Sequence, residues 1–410
     1  MVHRLTMLHP IDPRGRKVGG IETHVRLMYE RRPADFSVLL VGIDERGDLE
    51  LGRPVKLQLG DHSVDFLPVA RIPDSEIHTA AKKLGQSVTL RFALGALRYL
   101  PTIRRLGDAP EATTELQRFE LGLIGRLIGR PVVQIVHGEG SRKDKMDSLI
   151  RRFWYLNLVN ERIALSLASR IVCVNASIIE RFKKIAPRLL SKSELLTVSV
   201  DMDRFTAAPF PDDDIFRIVF AGRLDSFKDP GLMFQTMRRL HWSLGGKFEF
   251  HYVGTSDPHR FPEFQAIAPY TVLHGFQDSA GVAAVLRHCH AGVLTSYFEG
   301  MPCFLLELLS SGRPIGAVRL PQFDSLVING ESGFLVDRSE SAAETAERLR
   351  EGFLALRQQM SERKLDPAAI RKKVLPYSTR TQMPRLFDRH RRLARKAAPP
   401  RTEALRDGSS

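Results

Sequence analysis

The chain has few cysteines and no long hydrophobic run, and both absences limit what it can be. No stretch of its 410 residues approaches the roughly 20 consecutive apolar residues that a membrane-spanning helix needs. The first residues, MVHRLTMLHP, lack the apolar core of a secretory signal peptide. Cys173, Cys289 and Cys303 show neither metal-ligand spacing nor the even count of a disulfide framework. We therefore expect a cytoplasmic protein with buried structural thiols.

Composition places the chain among ordinary globular proteins. Hydrophobic residues make up 43% and charged residues 26%, which excludes disordered and fibrous classes. This length predicts two domains of roughly 200 residues each, with a cleft between them. The net charge is +14, and residues 371–410 carry 12 Lys and Arg against 3 Asp and Glu. Such an excess can attract nucleic acid or anionic lipid, and a solvated helix face explains it equally well.

Short apolar runs alternate with longer amphipathic ones from residue 36 onward, which is typical of an α/β fold. Runs rich in Val, Ile and Phe predict buried parallel strands. These are Phe36–Gly42, Pro131–Val136, Arg170–Val174, Phe216–Ala221, Phe248–Val253, Ala291–Thr295 and Pro314–Ala317. Two prolines and three consecutive aspartates between Arg204 and Ile215 predict a domain boundary.

We expect an N-terminal domain at residues 1–206 and a C-terminal domain at residues 207–375. A basic helix at residues 376–396 is expected to pack back toward the N-terminal domain. Residues 397–410 are expected to form a loose tail.

Two segments predict contacts with an anionic ligand. Gly19 and Gly20 precede a helical pattern, so the backbone can approach a ligand whose charge the helix N-terminus attracts. The segment FAGRLDSFK ends an apolar strand at a glycine and carries Arg223 and Lys228 just beyond it. Because the strand ends of a parallel sheet face the ligand crevice, these cations could hold a pyrophosphate. An ordinary turn and a solvated basic loop are the alternatives.

A third segment places two glutamates around the start of a short helix. Pro302 suits the first turn of this helix and Gly312 its end. Glu299 then lies in the loop after the strand AGVLTS, and Glu307 lies within the helix. The helix start offers free N–H groups to a phosphate. The residues that supply them are Gly300, Met301, Cys303 and Phe304.

A carboxylate inside the apolar run LLELLSS needs donors, because burying it without them costs free energy. A ribose diol would supply two hydroxyl groups to Glu307. A structural salt bridge is the alternative for Glu307, and an ordinary exposed loop acid is the alternative for Glu299.

Taken in order, these segments resemble glycosyltransferase family 4, a retaining family with the GT-B fold. The resemblance runs from about Gly19 to Asp337 and also includes the segments GRP, NGESGFLV and, earlier, VVQIVHG and SVDMDRF. It implies an α/β protein of GT-B architecture, with two Rossmann-like doubly wound domains facing each other across a cleft. Asp229-Pro230 departs from the family pattern, which usually has a glycine after Lys228, and Gly-Met-Pro replaces Gly-Phe-Gly after Glu299.

The resemblance also implies that the domain at residues 1–206 binds the acceptor and that the domain at residues 207–375 holds the donor site. Arg223 and Lys228 would bind the donor diphosphate, and Gly19-Gly20 would let the N-terminal domain close on the phosphates. Glu307 would bind the ribose hydroxyls, and Glu299 would bind the hydroxyls of the donor sugar.

The implied reaction is transfer with retained configuration, with His137 near the reactive centre. The sequence offers no obvious enzymic nucleophile, which favours a front-face route. Arg223, Lys228 and the helix start would meet the departing charge, so no metal or other cofactor is expected. Asp201 and Asp203 could be mistaken for a metal-binding DxD motif, but they coincide with a structural segment of the family.

We expect a hexosyl-type sugar to move from a UDP- or GDP-linked donor to a glycan or lipid-linked acceptor, in surface polysaccharide or glycolipid biosynthesis. A nucleotide-sugar epimerase of the same fold is one alternative. A basic nucleic-acid-binding protein is another, but its mark would be cations interleaved with aromatics, whereas the basic tail has only Tyr377 and Phe387. We expect no nucleic-acid partner.

A basic cluster before Trp154-Tyr155 would suit an anionic membrane surface, and a solvated helix is the alternative. The cluster consists of Arg142, Lys143, Lys145, Arg151 and Arg152. It predicts a peripheral enzyme on the inner face of the membrane.

Overall fold

The computed structural model describes residues 2–15, 19–77, 84–138 and 154–397. Their strands form two sheets, each built mainly from buried runs of Val, Ile, Leu and Phe. The first sheet contains β1 (His3–Leu8), β2 (Phe36–Asp44), β3 (Val55–Leu59), β4 (His62–Arg71), β5 (Ala112–Leu116), β6 (Val132–Val136), β7 (Arg170–Cys173) and β8 (Ser193–Leu195). The second contains β9 (Phe216–Ala221), β10 (Phe248–Val253), β11 (Thr271–Gly275), β12 (Ala291–Leu294), β13 (Ile315–Val318) and β14 (Gly333–Val336).

Both sheets are doubly wound. The second has the order β11-β10-β9-β12-β13-β14, with all neighbours parallel. The first has the order β3-β4-β2-β1-β5-β6-β7-β8, in which only β3 runs antiparallel to its neighbour. In each sheet the strand order reverses once, between β1 and β5 and between β9 and β12. Such a reversal opens a crevice at the carboxyl ends of the strands, where ligands bind.

Helices cover both faces of the sheets. In the described part of the chain they are α1 (Gly20–Glu30), α2 (Asp74–Ile77), α3 (Val88–Arg98), α4 (Leu100–Leu106), α5 (Gly122–Ile128), α6 (Trp154–Leu167), α7 (Ala176–Ile185), α8 (Pro230–Ser243), α9 (Ser279–His288), α10 (Cys303–Ser310), α11 (Ala342–Ser361), α12 (Pro367–Lys372) and α13 (Thr379–Ala397). The layering confirms the α/β prediction.

The seven predicted strands correspond to β2, β6, β7, β9, β10, β12 and β13. Most of the other strands were missed because polar residues interrupt their apolar runs. In β5 the sequence ATTEL is buried throughout, although it contains two threonines and Glu115. The apolar-run criterion cannot recognise a buried strand whose polar groups find partners inside the fold.

Arg313, which lies in the GRP segment, holds the chain that passes from the first sheet to the second. Its fully buried guanidinium donates to the carbonyl oxygens of Ala208 and Pro209, at 2.7 Å each, and to that of Arg287 at 2.7 Å. Burial lowers the pKa of Arg313 to about 10. The side chain therefore ties residues 208–209 to the end of α9, below the C-terminal sheet.

The C-terminal helix α13 crosses back to the first sheet. Phe387 packs edge-on against Phe36 at 4.7 Å between ring centroids, and Arg391 pairs with Asp35 at 2.8 Å. His390 reaches β5, where its Nε2 lies 2.9 Å from Oε2 of Glu115. The helix thus contributes buried side chains to the N-terminal half of the molecule.

Candidate functional site

On the N-terminal side, polar side chains gather where the strand order reverses. His9 follows β1, Gln117 follows β5 and His137 follows β6. The first turns of α1 add Glu22, whose Oε1 lies 3.2 Å from Nε2 of His9, and His24. This position is the crevice of a doubly wound sheet, so these groups face the place where a ligand is expected.

Hydrogen bonds set the tautomer of His137. The ionised Glu115 carboxylate can only accept, so the Gln117 amide nitrogen donates to its Oε1 at 2.6 Å. The amide oxygen of Gln117 must then accept from His137, whose Nε2 lies 2.6 Å away. His137 therefore carries its proton on Nε2, which leaves Nδ1 as an acceptor.

Charge in this cluster resides on Glu115. Burial, together with the charges of the neighbouring His24 and His9, lowers the pKa of His137 to about 3, so the ring is neutral at neutral pH. Burial alone would raise the pKa of Glu115. Hydrogen bonds from His24 and His390 outweigh that effect and bring the pKa to about 2. Glu115 is thus an anionic carboxylate surrounded by imidazole and amide donors.

On the C-terminal side, Lys228 and Glu299 form an ion pair at the reversal between β9 and β12. Lys228 Nζ lies 2.6 Å from Glu299 Oε1, and the Ser296 hydroxyl donates to the same oxygen at 2.8 Å. Only 15% of the Lys228 side chain and 10% of the Glu299 side chain are exposed. Glu299 is therefore largely buried and ion-paired, so the alternative interpretation of Glu299 as an exposed loop acid is wrong.

Backbone contacts join the two loops that carry this pair. The Thr295 hydroxyl donates to the carbonyl oxygen of Lys228 at 2.7 Å, and the Tyr297 N–H donates to that of Phe227 at 2.8 Å. Phe227 and Phe298 stack with their centroids 4.9 Å apart. The loops after β9 and β12 therefore form one unit that fixes the spacing of Lys228 and Glu299.

Asp229 explains one departure from the family pattern. Its φ of +50° lies in the left-handed region, which accounts for the glycine that the family usually has there. The Asp229 carboxylate offsets this strain, because it caps α8 at the Leu232 N–H and accepts from Arg338 at 2.6 Å. Pro230 then begins α8, where its missing N–H costs nothing.

Glu307 lies in the middle of α10 and is partly buried. No hydrogen bond or ion pair joins its carboxylate to the residues that the structure describes, so the predicted salt-bridge alternative is wrong within that part of the chain. Burial raises its pKa to about 7, and the charge of Arg204 opposes the rise. A partly buried carboxylate without a donor is a site that a ligand hydroxyl would satisfy.

Arg223 stands apart from the ion pair. Its side chain is 53% exposed and pairs with Asp225 at 2.9 Å. It lies on the same loop as Lys228, just after β9. The structure therefore brings Lys228, Ser296 and Glu299 together and leaves Arg223 half-exposed at the rim, paired with Asp225.

The two halves meet at the start of α10. A side-chain atom on Gly300 would overlap the carbonyl oxygen of His137, and Asn175 Nδ2 donates to the Gly300 carbonyl oxygen at 2.8 Å. The Cys303 sulfur lies 3.8 Å from the carbonyl oxygen of Gly20. Cys303 is thus a partly exposed contact between the halves, which corrects the prediction of a buried structural thiol. Cys173 and Cys289 are buried.

The helix α10 begins one residue later than predicted. Pro302 is its N-cap, and the Pro302 carbonyl oxygen accepts from the Leu305 N–H at 3.1 Å. Cys303 and Phe304 are the first two helical residues, whose N–H groups have no carbonyl partner within the helix. The Phe304 side chain packs into the core against Phe220, so only its backbone can serve a ligand.

Asp201 and Asp203, which could be mistaken for a metal-binding DxD motif, are paired with arginines. Asp201 pairs with Arg31 at 2.6 Å and Asp203 with Arg380 at 2.7 Å. Among the described residues, no three His, Cys, Asp or Glu side chains are grouped to hold a metal ion.

None of the described helices is long and apolar enough to cross a membrane. The predicted basic cluster at 142–152 and the tail from residue 398 lie outside the described residues.

Sequence reasoning missed several members of the site, which are His9, His24, Glu115, Gln117, Asn175, Ser296 and His390. Ser296 could have been found, because it directly follows the strand before Glu299. Glu115 and Gln117 were hidden because β5 was not recognised. His390 gives no local signal, since its partner lies 275 residues earlier in the sequence.

Residues 215–352 match the family described as Glycosyl transferases group 1. A sequence comparison with curated proteins found no match.

Several solved structures share the architecture over nearly the whole chain. Sucrose-phosphate synthase from Thermosynechococcus elongatus superposes with a TM-score of 0.75 at 14% identity, covering 97% of this chain and 100% of that one. Trehalose-6-phosphate synthase OtsA gives 0.67 at 11% identity, with coverages of 97% and 100%. Anabaena HepE in complex with UDP-glucose gives 0.66 at 12% identity, with coverages of 95% and 99%. The chain thus has the two-domain GT-B fold, and its C-terminal half carries the sequence pattern of group 1 glycosyl transferases.

Proposed function

We propose that the protein is a retaining glycosyltransferase that moves a hexosyl-type sugar from a UDP- or GDP-linked donor to a glycan or lipid-linked acceptor. One observation carries this proposal. Lys228, Glu299 and the carboxylate of Glu307, which has no partner among the described residues, lie around the start of α10, where the backbone carbonyl oxygen of His137 meets Gly300. In this arrangement Lys228 and the helix start would bind the diphosphate of one ligand, Glu299 its sugar and Glu307 its ribose.

The donor diphosphate would lie between Lys228 and the start of α10. The Lys228 ammonium has three donors, and Glu299 occupies one of them, so the others can bind phosphate oxygens. The N–H groups of Cys303 and Phe304 and the dipole of α10 add to the attraction. Arg223 at the rim would move onto the leaving phosphate. These positive groups can offset the charge of the leaving diphosphate, so the reaction is proposed to need no metal.

The nucleoside would be held by Glu307. Its carboxylate can accept both hydroxyls of a ribose diol, which would replace the donors that it lacks. Glu299 uses Oε1 for Lys228 and Ser296, and its Oε2 would accept from hydroxyls of the donor sugar.

His137 would lie beside the transferred sugar. Because its Nε2 proton is committed to Gln117, its Nδ1 would accept from a sugar hydroxyl, and a neutral ring would not repel a cationic transition state. The carbonyl oxygen of His137 lies against Gly300, so the loop after β6 would hold His137 beside the sugar of a donor whose diphosphate lies at the start of α10.

Calorimetry with nucleotide diphosphates tests the donor site. The protein is titrated with UDP, GDP and ADP in EDTA, and one of them is expected to bind. Lys228→Met should weaken that binding about 10- to 100-fold, since it removes a charge-assisted hydrogen bond. Lys247→Met, which removes an exposed lysine of the C-terminal domain, is the matched control and should bind normally. If no diphosphate binds, or if both variants bind alike, the proposed site is wrong.

The products test the reaction. A donor that binds is incubated with the protein, and slow hydrolysis is followed by NMR. Release of the sugar as the anomer present in the donor supports retention, whereas the opposite anomer contradicts it. Conversion of the donor sugar to an isomer would instead favour the epimerase alternative.

A further inference from the structure

Helices α3, α5 and α6 of the N-terminal half expose an unusual number of large apolar side chains. They carry nine of the seventeen exposed large apolar residues in the described part of the chain. The nine are Leu90, Leu94, Leu97, Leu123, Leu127, Tyr155, Leu156, Val159 and Ile163. An apolar patch of this kind marks an interaction surface.

The three helices form one continuous surface. Gly122 of α5 lies so close to Ala164 of α6 that a side-chain atom on the glycine would overlap it. Helices α3 and α5 also touch, and their buried residues Phe92 and Ile124 share one core. Their opposite, solvent-facing sides therefore form a single face, which we call the outer helical face.

The charge of this face has one sign. Arg98, Arg126 and Arg162 are exposed among the apolar residues. The acid of these helices, Glu161, is buried and paired with Arg181. Beside the face, Arg104 and Arg105 line a shallow depression that also contains the ion pair between Arg130 and Asp108. The outer helical face therefore offers leucines and arginines together, with no exposed acid on α3, α5 or α6.

We infer that the outer helical face docks on an anionic lipid bilayer. Apolar side chains beside arginines suit a membrane interface, where leucines enter the acyl boundary and arginines contact phosphate headgroups. A second copy of the chain fits poorly, because a symmetric contact would place arginines against arginines. The face includes Tyr155, which is 77% exposed and belongs to the pair Trp154-Tyr155 that follows the predicted basic cluster.

Docking would place the cleft at the membrane. The helix α5 begins shortly after β5 ends, so Leu123 lies at the same end of the sheet as Gln117 and the candidate site. An acceptor anchored in the bilayer could then reach the cleft from the edge of the outer helical face. This step rests on the proposed function, whereas the docking itself does not.

Vesicle flotation tests the inference with the full chain. Vesicles of equal parts phosphatidylcholine and phosphatidylglycerol are compared with pure phosphatidylcholine at low and high salt. The protein should float with the anionic vesicles at low salt and stay behind with the neutral ones. The charge variant, Arg98→Glu with Arg126→Glu and Arg162→Glu, should bind about a hundredfold more weakly, at about 1 kcal/mol for each basic residue.

An apolar variant separates insertion from charge attraction. Leu94→Gln with Leu123→Gln and Ile163→Gln should lose binding at all salt concentrations. The matched controls are Arg363→Glu and Trp242→Gln, which change an exposed arginine and an exposed aromatic of the C-terminal half and should float like the wild type.

Nucleotide diphosphate binding distinguishes a failure of the membrane docking from a failure of the proposed donor site. Each variant that binds the donor diphosphate like the wild type is folded, so its loss of flotation reports the surface alone. Absence of wild-type flotation with anionic vesicles at low salt would overturn the docking and leave the donor site untouched. The docking would also be overturned if both variants float like the wild type, or if the apolar variant abolishes a dimer while vesicle binding persists.

Discussion

The Nε2 atom of His390 lies 2.9 Å from Oε2 of Glu115, although 275 residues separate them. His390 also contacts the Thr113 hydroxyl through Nδ1, at 2.9 Å. Through Glu115 and Gln117, the C-terminal helix is thus connected to His137 by hydrogen bonds. The last helix of the chain therefore completes a site that belongs to the first sheet.

Glu115→Gln should weaken the fold in a pH-dependent way. The Glu115 pKa is about 2 in the folded protein against an ordinary 4.5. A lowered folded pKa contributes stability above the unfolded value, and that stability is lost as the pH falls through the folded value. The wild type should exceed the variant in free energy of unfolding by about 3 kcal/mol near neutral pH. The difference should narrow by about 2 kcal/mol between about pH 6 and about pH 3.

Urea unfolding followed by circular dichroism measures this difference. Glu351→Gln, which changes an exposed glutamate, is the control and should follow the wild type at every pH. A difference between the wild type and Glu115→Gln that stays constant with pH would contradict the assigned charge of Glu115.

Glu307→Gln should stabilise the free protein and weaken its binding of the ligand. Burial raises the Glu307 pKa from 4.5 to about 7, so its stability contribution is present at low pH and is lost as the pH rises through 7. Above that pH the variant should be more stable by about 1–2 kcal/mol, after allowance for partial exposure. The same change should weaken nucleotide diphosphate binding about tenfold, since it removes a charged acceptor.

Thermal unfolding and calorimetry on the same samples test both effects. The affinity of the wild type should fall below about pH 7, where Glu307 becomes protonated, and that of the variant should change less. Glu340→Gln, at an exposed site of the C-terminal half, should alter neither quantity. Lower stability of Glu307→Gln would show that the carboxylate has a partner in the free protein.

Gly300→Ala should impair catalysis more than folding. The added methyl group would overlap the backbone carbonyl oxygen of His137, which cannot move without shifting the loop after β6. Displacement of about 1 Å between the sugar and diphosphate subsites is enough for a loss of about a hundredfold in rate. Donor hydrolysis by the variant measures this loss. Gly85→Ala, at a glycine with open space around it, should react like the wild type. Equal rates for all three proteins would contradict closure at Gly300.

The regular elements with strong local signals could be predicted from the sequence. The run FRIVFAG predicted β9 to the residue, because a buried parallel strand is apolar on both faces. Pro302 and Gly312 mark the ends of α10 to within one residue of the prediction. Pro302 has no N–H to donate to a preceding turn, and Gly312 takes the positive φ of a helix end. The first sheet was harder to predict, because β5 buries Glu115 among partners that come from other elements.

What the sequence by itself determined is the two-domain α/β pattern, the order of the motifs and the placement of Glu299 and Glu307 around a helix start. These follow from periodicity and turn chemistry, which act over a few residues. Only the tertiary structure decided that Glu307 has no partner among the described residues, that Lys228 pairs with Glu299, that Gly300 meets His137 and that His390 reaches Glu115. Such contacts depend on the path of the whole chain, because residues far apart in sequence become neighbours only when both sheets and α13 have packed.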